Sequence, residues 1–195
     1  EITGQSLVYQ KEESFIQAVL GFEYLDGVID GIGGVSLYEK KIGEGFVSVS
    51  GQEYRTQNDY TEKYLGYHAR VLLAQDSGEV IAIVPTNKNT VLTVEADMIA
   101  GYDNHIYQYW KSETANSVTR ARVAKDADVL YNNYCTFDTT QMLPEYGNVT
   151  LIDNNKDGTY EVVMVNEWES KIVSAVSMQE NLIVFENRNS NGEMD

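Results

Sequence analysis

The sequence predicts an all-β protein, mainly antiparallel and arranged as small barrels or sandwiches, with one short N-terminal helix. Short runs rich in β-branched and aromatic residues recur about every 8 to 12 residues, as they do in sandwiches and barrels. Glycine, asparagine and aspartate separate these runs and supply the turns between them. Helical periodicity is convincing only near the N-terminus, which argues against alternating strands and helices.

The helical segment is predicted at residues 1–22. Gly21 follows the apolar residues and acts as a stop signal. The apolar residues that share one helical face are Phe15, Ile16, Val19 and Leu20. Beyond this segment we expect strands throughout, interrupted by one short helical turn at 58–65 that Gly66 closes.

The strands fall into two groups, which predict a first β-domain at 23–88 and a second at 89–186, followed by a flexible tail at 187–195. The strands of the first group lie at 24–30, 35–38, 46–49, 53–55, 67–73 and 80–84. Those of the second group lie at 90–94, 106–110, 118–123, 128–131, 149–152, 159–165, 172–176 and 182–185. Hairpin turns are expected where glycine-bearing pairs such as Ser50-Gly51 separate two runs.

The charge of the chain excludes several classes of function. Lysine and arginine number 14 against 30 acidic residues, a formal net charge of −16. Nucleic-acid binding is not expected, because its affinity comes mainly from cationic side chains that contact phosphates. Cys135 is the only cysteine, so no disulfide forms within the chain. No apolar run approaches the roughly 18 residues of a membrane-spanning helix, and no membrane insertion is expected.

The aspartate-rich stretch 153–158 is the sharpest local motif. Its spacing matches the start of an EF-hand calcium loop, with oxygen ligands expected from Asp153, Asn155, Asp157, the Thr159 carbonyl and Glu161. Position twelve is Met164 where an EF-hand requires glutamate, and the flanks are strand-like, so a true EF-hand is rejected. Two alternatives remain: a calcium-stiffened β-hairpin, or a plain turn made of residues that turns favour.

The best candidate for an enzymatic or carbohydrate site is the trio Glu167, Trp168 and Glu169. A carbohydrate site combines carboxylates with an exposed aromatic platform. The alternative is an edge strand with solvated acids and a buried tryptophan, and we expect this second arrangement. Cys135 is expected to be a small buried apolar residue, His68 a partly exposed strand residue, and His105 part of a turn.

Two stretches, 27–67 and 127–163, carry a family resemblance. The first contains Gly45-Phe46-Val47-Ser48-Val49-Ser50-Gly51, and the second contains Gly147-Asn148-Val149-Thr150-Leu151-Ile152-Asp153. They resemble β-rich modules in large surface proteins of clostridia-like Gram-positive bacteria, often found beside S-layer homology or stalk domains. Similar modules are expected in virion proteins of phages that infect such hosts. The resemblance covers roughly residues 24–186 and implies no catalytic residues.

These observations predict a non-catalytic structural or interaction module of a larger extracytoplasmic or virion assembly. Its partners would be other protein subunits, and no cofactor is required, although calcium is compatible with the 153–161 loop. The alternative is a cell-wall carbohydrate-active enzyme or carbohydrate-binding module that uses Glu167, Trp168 and Glu169. A third hypothesis is an adhesive module that recognises a host partner.

Overall fold

The computed structural model describes residues 21–58, 62–136 and 138–186, and the strands in these ranges confirm a mainly antiparallel all-β fold. The predicted N-terminal helix lies outside the described residues, except that Gly21 is a turn residue and Phe22 begins the first strand. The predicted tail at 187–195 also lies outside them. Whether the sheets amount to small barrels or sandwiches stays a prediction, as does the division into two domains.

The first sheet has its first strand at the centre. Its spatial order is β4-β3-β1-β5-β6, with the two-residue β2 paired to β1. The strands are β1 (Phe22–Ile32), β2 (Val35–Ser36), β3 (Phe46–Val49), β4 (Gln52–Arg55), β5 (His68–Ala74) and β6 (Val80–Pro85). The expected helical turn between β4 and β5 is a 3₁₀ turn at Glu62–Tyr64, and Gly66 follows it at a φ of +80°.

The second sheet contains the one parallel strand pair of the described chain. Its order is β7-β12-β13-β10-β9-β8, with β11 paired to β10, and β13 runs parallel to β10. The strands are β7 (Thr90–Glu95), β8 (Ile99–Asp103), β9 (Ile106–Tyr109), β10 (Thr119–Tyr131), β11 (Tyr134–Cys135), β12 (Gly147–Asp153) and β13 (Tyr160–Glu167). β10 joins two strands that were predicted separately, and its pairing with β13 shifts register between Val123 and Asp128.

Two-residue turns account for several hairpins. Both central residues have positive φ, the geometry that matches the right-handed twist of antiparallel strands. These turns are Gly33-Gly34, Ser50-Gly51, Asn104-His105 and Asn132-Asn133. The predicted Ser50-Gly51 hairpin is therefore confirmed, as is the expected place of His105 in a turn.

Both faces of the second sheet are buried at its centre. Leu151 and Val163 pair across β12 and β13 and belong to a core cluster built within the second sheet. Their neighbours Ile152 and Val162 point to the opposite face and join the core cluster of the first sheet. Gly66 packs closely against this face: a Cβ at its position would lie 3.0 Å from the Ile152 side chain, so a larger residue would crowd the contact. The two sheets thus share a hydrophobic core.

A third, two-stranded sheet follows β13. It consists of β14 (Val173–Ser177) and β15 (Leu182–Phe185), and within the described residues neither strand pairs with another sheet. Both strands were predicted from the sequence at nearly the same bounds. Among the described residues, the structure contains no helix whose length and apolar character would let it cross a membrane.

Candidate functional site

The 153–161 loop is organised by the buried carboxylate of Asp153. This side chain is 3% exposed and lies at the end of β12. Its Oδ1 accepts hydrogen bonds from the backbone N–H groups of Asn155, at 3.2 Å, and Lys156, at 2.6 Å. Its Oδ2 accepts from the Gly158 N–H at 3.0 Å. One carboxylate thus satisfies three backbone donors and holds the turn closed.

The other candidate ligands also hold the loop. Asn155 Oδ1 accepts from the Asp157 N–H at 2.8 Å, and Asp157 Oδ1 accepts from the Thr159 N–H at 2.7 Å. Glu161 accepts from the Asn154 N–H and from Asn155 Nδ2, each at 2.9 Å. The loop closes a hairpin, since β12 and β13 pair on either side of it, and this pairing is common to the calcium-stiffened hairpin and the plain turn.

The same loop concentrates negative charge. One carboxylate oxygen each from Asp153, Asp157 and Glu161 lies within 4.8 Å of the others. Burial raises the pKa of Glu161, and the charges of Asp153 and Asp157 raise it further, although the Asn154 N–H opposes them. A cation at this point would relieve the repulsion, and carboxylate and carbonyl oxygens are the ligands that calcium takes. The chemistry of the donor set therefore fits calcium.

A second candidate site is an open cleft of about 810 Å³ after the end of β13. Trp168 and Tyr146 line it, and their side chains are 60% and 63% exposed. The backbone N–H of Trp168 donates a hydrogen bond to the backbone carbonyl of Tyr146 at 3.1 Å, so the two residues are neighbours at the cleft. The expectation of a buried Trp168 is wrong: β13 ends at Glu167, and the chain leaves the sheet before the indole could enter a core.

Glu167 is fixed in this cleft by three neighbours. Its carboxylate accepts a short hydrogen bond from the Tyr131 hydroxyl and another from the Glu145 N–H at 2.9 Å. Its own N–H donates to Asn132 Oδ1 at 2.9 Å. The Tyr131 hydroxyl lowers the pKa of Glu167, and the Glu145 N–H adds to the effect. Glu167 is therefore an ionised hydrogen-bond acceptor with a defined position. Glu169, by contrast, is exposed and pairs with Lys171 at 3.0 Å.

The remaining nucleophile and imidazole candidates have structural surroundings. His68 contacts Thr86 Oγ1 through Nδ1, at 3.0 Å, and Lys88 Nζ through Nε2, at 3.1 Å. Cys135 is half-buried on β11 and packs against the first core cluster, in partial agreement with the expectation of burial. Burial raises the pKa of its thiol, and the charge of Asp128 adds to this. A reactive cysteine requires the opposite shift.

Sequence reasoning missed a pair of carboxylates at the junction of the two sheets. Asp30 on β1 is 2% exposed, and its Oδ2 accepts from the Gly51 N–H at 2.5 Å. Among the described residues its Oδ1 has no hydrogen-bond partner. Burial raises the pKa of Asp128 on β10 to about 6, and the charges of Asp30 and then Asp126 contribute. The signal in the sequence was an aspartate inside each of two strands, where aspartate is depleted.

The β14–β15 hairpin exposes an apolar face. Val173 lies opposite Phe185 and Val176 opposite Ile183, so these four side chains share one face across a bulge at 174–175. Each of them is between 44% and 59% exposed. Leu182 and Val184 on the other face are also exposed.

Comparison with known proteins found no matching family model, no matching curated protein and no matching solved structure. The loop, the cleft and the hairpin are therefore the features from which a function can be inferred.

Proposed function

We propose that this chain is a non-catalytic structural and interaction module of a larger assembly, and that the apolar face of the β14–β15 hairpin binds a neighbouring subunit. The observation that carries this proposal is the exposure of Val173, Val176, Ile183 and Phe185 on one face. Exposed apolar patches of this kind mark interaction surfaces. The resemblance to bacterial surface modules supports a place at a cell surface or in a virion.

The energetics of the hairpin support association. A two-stranded sheet alone in water is marginally stable and needs a further strand or a packed surface. Each strand of this hairpin also has an edge that pairs with nothing among the described residues. Covering four half-exposed side chains contributes about 1 kcal/mol each, or about 4 kcal/mol per hairpin face before the entropic cost of association. Such an interface is weak and depends on concentration.

The partner that fits best is a second copy of this chain. The two strands, 173–177 and 182–185, contain no ionisable side chain, although the chain as a whole carries a net charge of −16. Two copies of this face therefore meet without acidic side chains from the strands themselves, and the cation beside it is the Lys171 ammonium, 5.8 Å from the centre of the Phe185 ring. The acidic surface elsewhere disfavours other contacts between copies. Symmetric self-association is also the commonest form of oligomer among soluble proteins.

Sedimentation over a wide concentration range tests this proposal. We expect the wild-type chain to self-associate as concentration rises, and V176S/I183S to remain monomeric. V84S is the matched control, because Val84 on β6 is equally exposed but lies on another sheet. Since V176S/I183S could simply unfold the hairpin, hydrogen exchange of the wild-type hairpin is the second measurement, and its protection should rise with concentration. A monomer with an unprotected hairpin at every concentration would refute self-association.

We also propose that the 153–161 loop binds calcium, which would stiffen the hairpin tip. The support is the approach of three carboxylates from Asp153, Asp157 and Glu161 within a loop that holds its own shape. Calcium at 100 times its dissociation constant would stabilise the fold by about 2.7 kcal/mol.

Thermal unfolding in calcium and in chelator checks this second proposal. The wild-type melting temperature should be higher in calcium, and D157N should lose part of that increment, because asparagine keeps an oxygen ligand but removes one negative charge. D157N should change stability little in chelator, because Asp157 is exposed and accepts a single backbone hydrogen bond. D138N is the control, since Asp138 is an exposed aspartate that also accepts from a backbone N–H, outside this loop. Equal wild-type melting temperatures in calcium and chelator would show that the loop is a plain turn.

A further inference from the structure

We infer that the cleft beside Trp168 binds a neutral glycan, stacking a pyranose ring on the indole. This role goes beyond assembly and uses a different surface from the hairpin face. The cleft, at about 810 Å³, has the size of a ligand site and holds a few polar groups beside its aromatic walls.

The aromatic residues supply the stacking surface. Trp168 and Tyr146 are among the most exposed large side chains described, and a hydrogen bond from the Trp168 backbone N–H to the Tyr146 carbonyl holds their backbones together. One face of a pyranose presents C–H groups that pack against a flat ring, while the hydroxyl groups at its rim stay available for hydrogen bonds. An aromatic side chain offers this contact area at low entropic cost, because only two torsions must be fixed.

The polar groups of the cleft are acceptors for sugar hydroxyl groups. Glu167 cannot swing away, because the Tyr131 hydroxyl and the Glu145 N–H hold its carboxylate. Each carboxylate oxygen accepts more than one hydrogen bond, so both keep capacity for a ligand. A group held in place before binding contributes more affinity than one that must be ordered by the ligand.

The charges of the cleft select against acidic ligands. Glu145, Glu167 and Glu169 line it. Lys171 beside the cleft offsets one of them through its ion pair with Glu169. Uronates, sialic acids and phosphorylated sugars would therefore be repelled, whereas neutral hexoses and N-acetylhexosamines would not. The Tyr131 hydroxyl lowers the pKa of Glu167, which makes this residue a poor general acid and a good acceptor for sugar hydroxyl groups.

Fluorescence and calorimetric titrations of the full chain test this inference. The probes are soluble oligomers of β-1,4-linked glucose, of N-acetylglucosamine and of mannose. We expect at least one of them to bind, W168A to weaken that affinity at least tenfold, and Y146A to weaken it less. W110A is the matched control, because Trp110 is a partly exposed tryptophan in a different cleft, and its variant should bind normally.

Two results would overturn the inference. One is the failure of all three neutral oligomers to bind the wild-type chain. The other is a Trp168-dependent affinity for oligolysine without any for the neutral oligomers, which would assign the cleft to a basic peptide. V176S/I183S should keep its glycan affinity, so failure of the hairpin proposal and failure of this one are distinguishable.

Discussion

Replacing Asp128 with asparagine should stabilise the protein at neutral pH. In the folded chain the pKa of Asp128 is raised from 3.8 to about 6, because burial and the nearby charges of Asp30 and Asp126 disfavour the carboxylate. The folded state therefore holds this proton more tightly than the unfolded state. The contribution of protonated Asp128 to the free energy of unfolding is therefore fully present below about pH 4 and is lost as the pH rises through about 6.

The expected gain in the free energy of unfolding follows from the change in the pKa of Asp128. The rise from 3.8 to about 6 corresponds to about 3 kcal/mol. Since Asp128 is half-buried and solvent screens part of the interaction, about 1–2 kcal/mol is the expected gain for D128N above pH 7. Asparagine has nearly the same size and carries no charge, so it removes the repulsion without leaving a cavity.

Urea unfolding at pH 4, 5, 6 and 7.5 measures this gain. D128N and the wild-type chain should be about equally stable near pH 4 and should diverge as the pH rises. D126N is the control, because Asp126 is an exposed residue on the same strand and its charge is the smallest contributor. Parallel pH profiles for D128N and the wild-type chain would refute the argument.

Two further substitutions test the packing between strands and sheets. G147A should cost about 3 kcal/mol in urea unfolding, because Gly147 has a φ of +109° and a Cβ there would lie 2.0 Å from the Asn166 carbonyl oxygen. G101A should be nearly neutral, since a Cβ at Gly101 meets nothing within 4 Å, and an equal loss in both variants would contradict this explanation. N154A should lower the free energy of unfolding by about 1 kcal/mol, because it removes the 3.0 Å hydrogen bond from Asn154 Nδ2 to the Gly66 carbonyl. Unchanged stability of N154A in a urea titration would contradict this expectation.

Local sequence patterns predicted most strands, because strand alternation and turn chemistry act over a few residues. Ser50-Gly51 and the 153–158 stretch carry the positive φ values or side-chain caps that hairpins require, so their positions could be read without tertiary information. The continuity of β10 could not be predicted, because its register shift depends on a parallel partner distant in sequence: Val123 pairs with Tyr160 and Asp128 with Val162. β8 was missed because Gly101 interrupts its short apolar pattern.

For the candidate sites, too, the sequence predicted the residues that are adjacent in the chain and missed those that only the fold brings together. The loop ligands were found because they are adjacent in sequence and follow a known spacing. The cleft was found only in part: Glu167, Trp168 and Glu169 are consecutive, whereas Tyr131 and Tyr146 reach it through strand pairing. The exposure of Trp168 depends on where β13 ends, and the charge of Asp30 acts on Asp128 only after the sheets pack.

The strand orders of the two sheets imply different requirements during synthesis. β1 is the centre of the first sheet and leaves the ribosome before its partners, so that sheet can grow outward as β3 and β5 emerge. β13 is a central strand of the second sheet and the last of its strands to be made, and it must enter between β12 and β10. A nascent chain that stops before residue 160 would therefore have a complete first sheet but would lack the strand between β12 and β10 of the second sheet. The unpaired edges of those two strands make this the stage of synthesis most in need of chaperone protection.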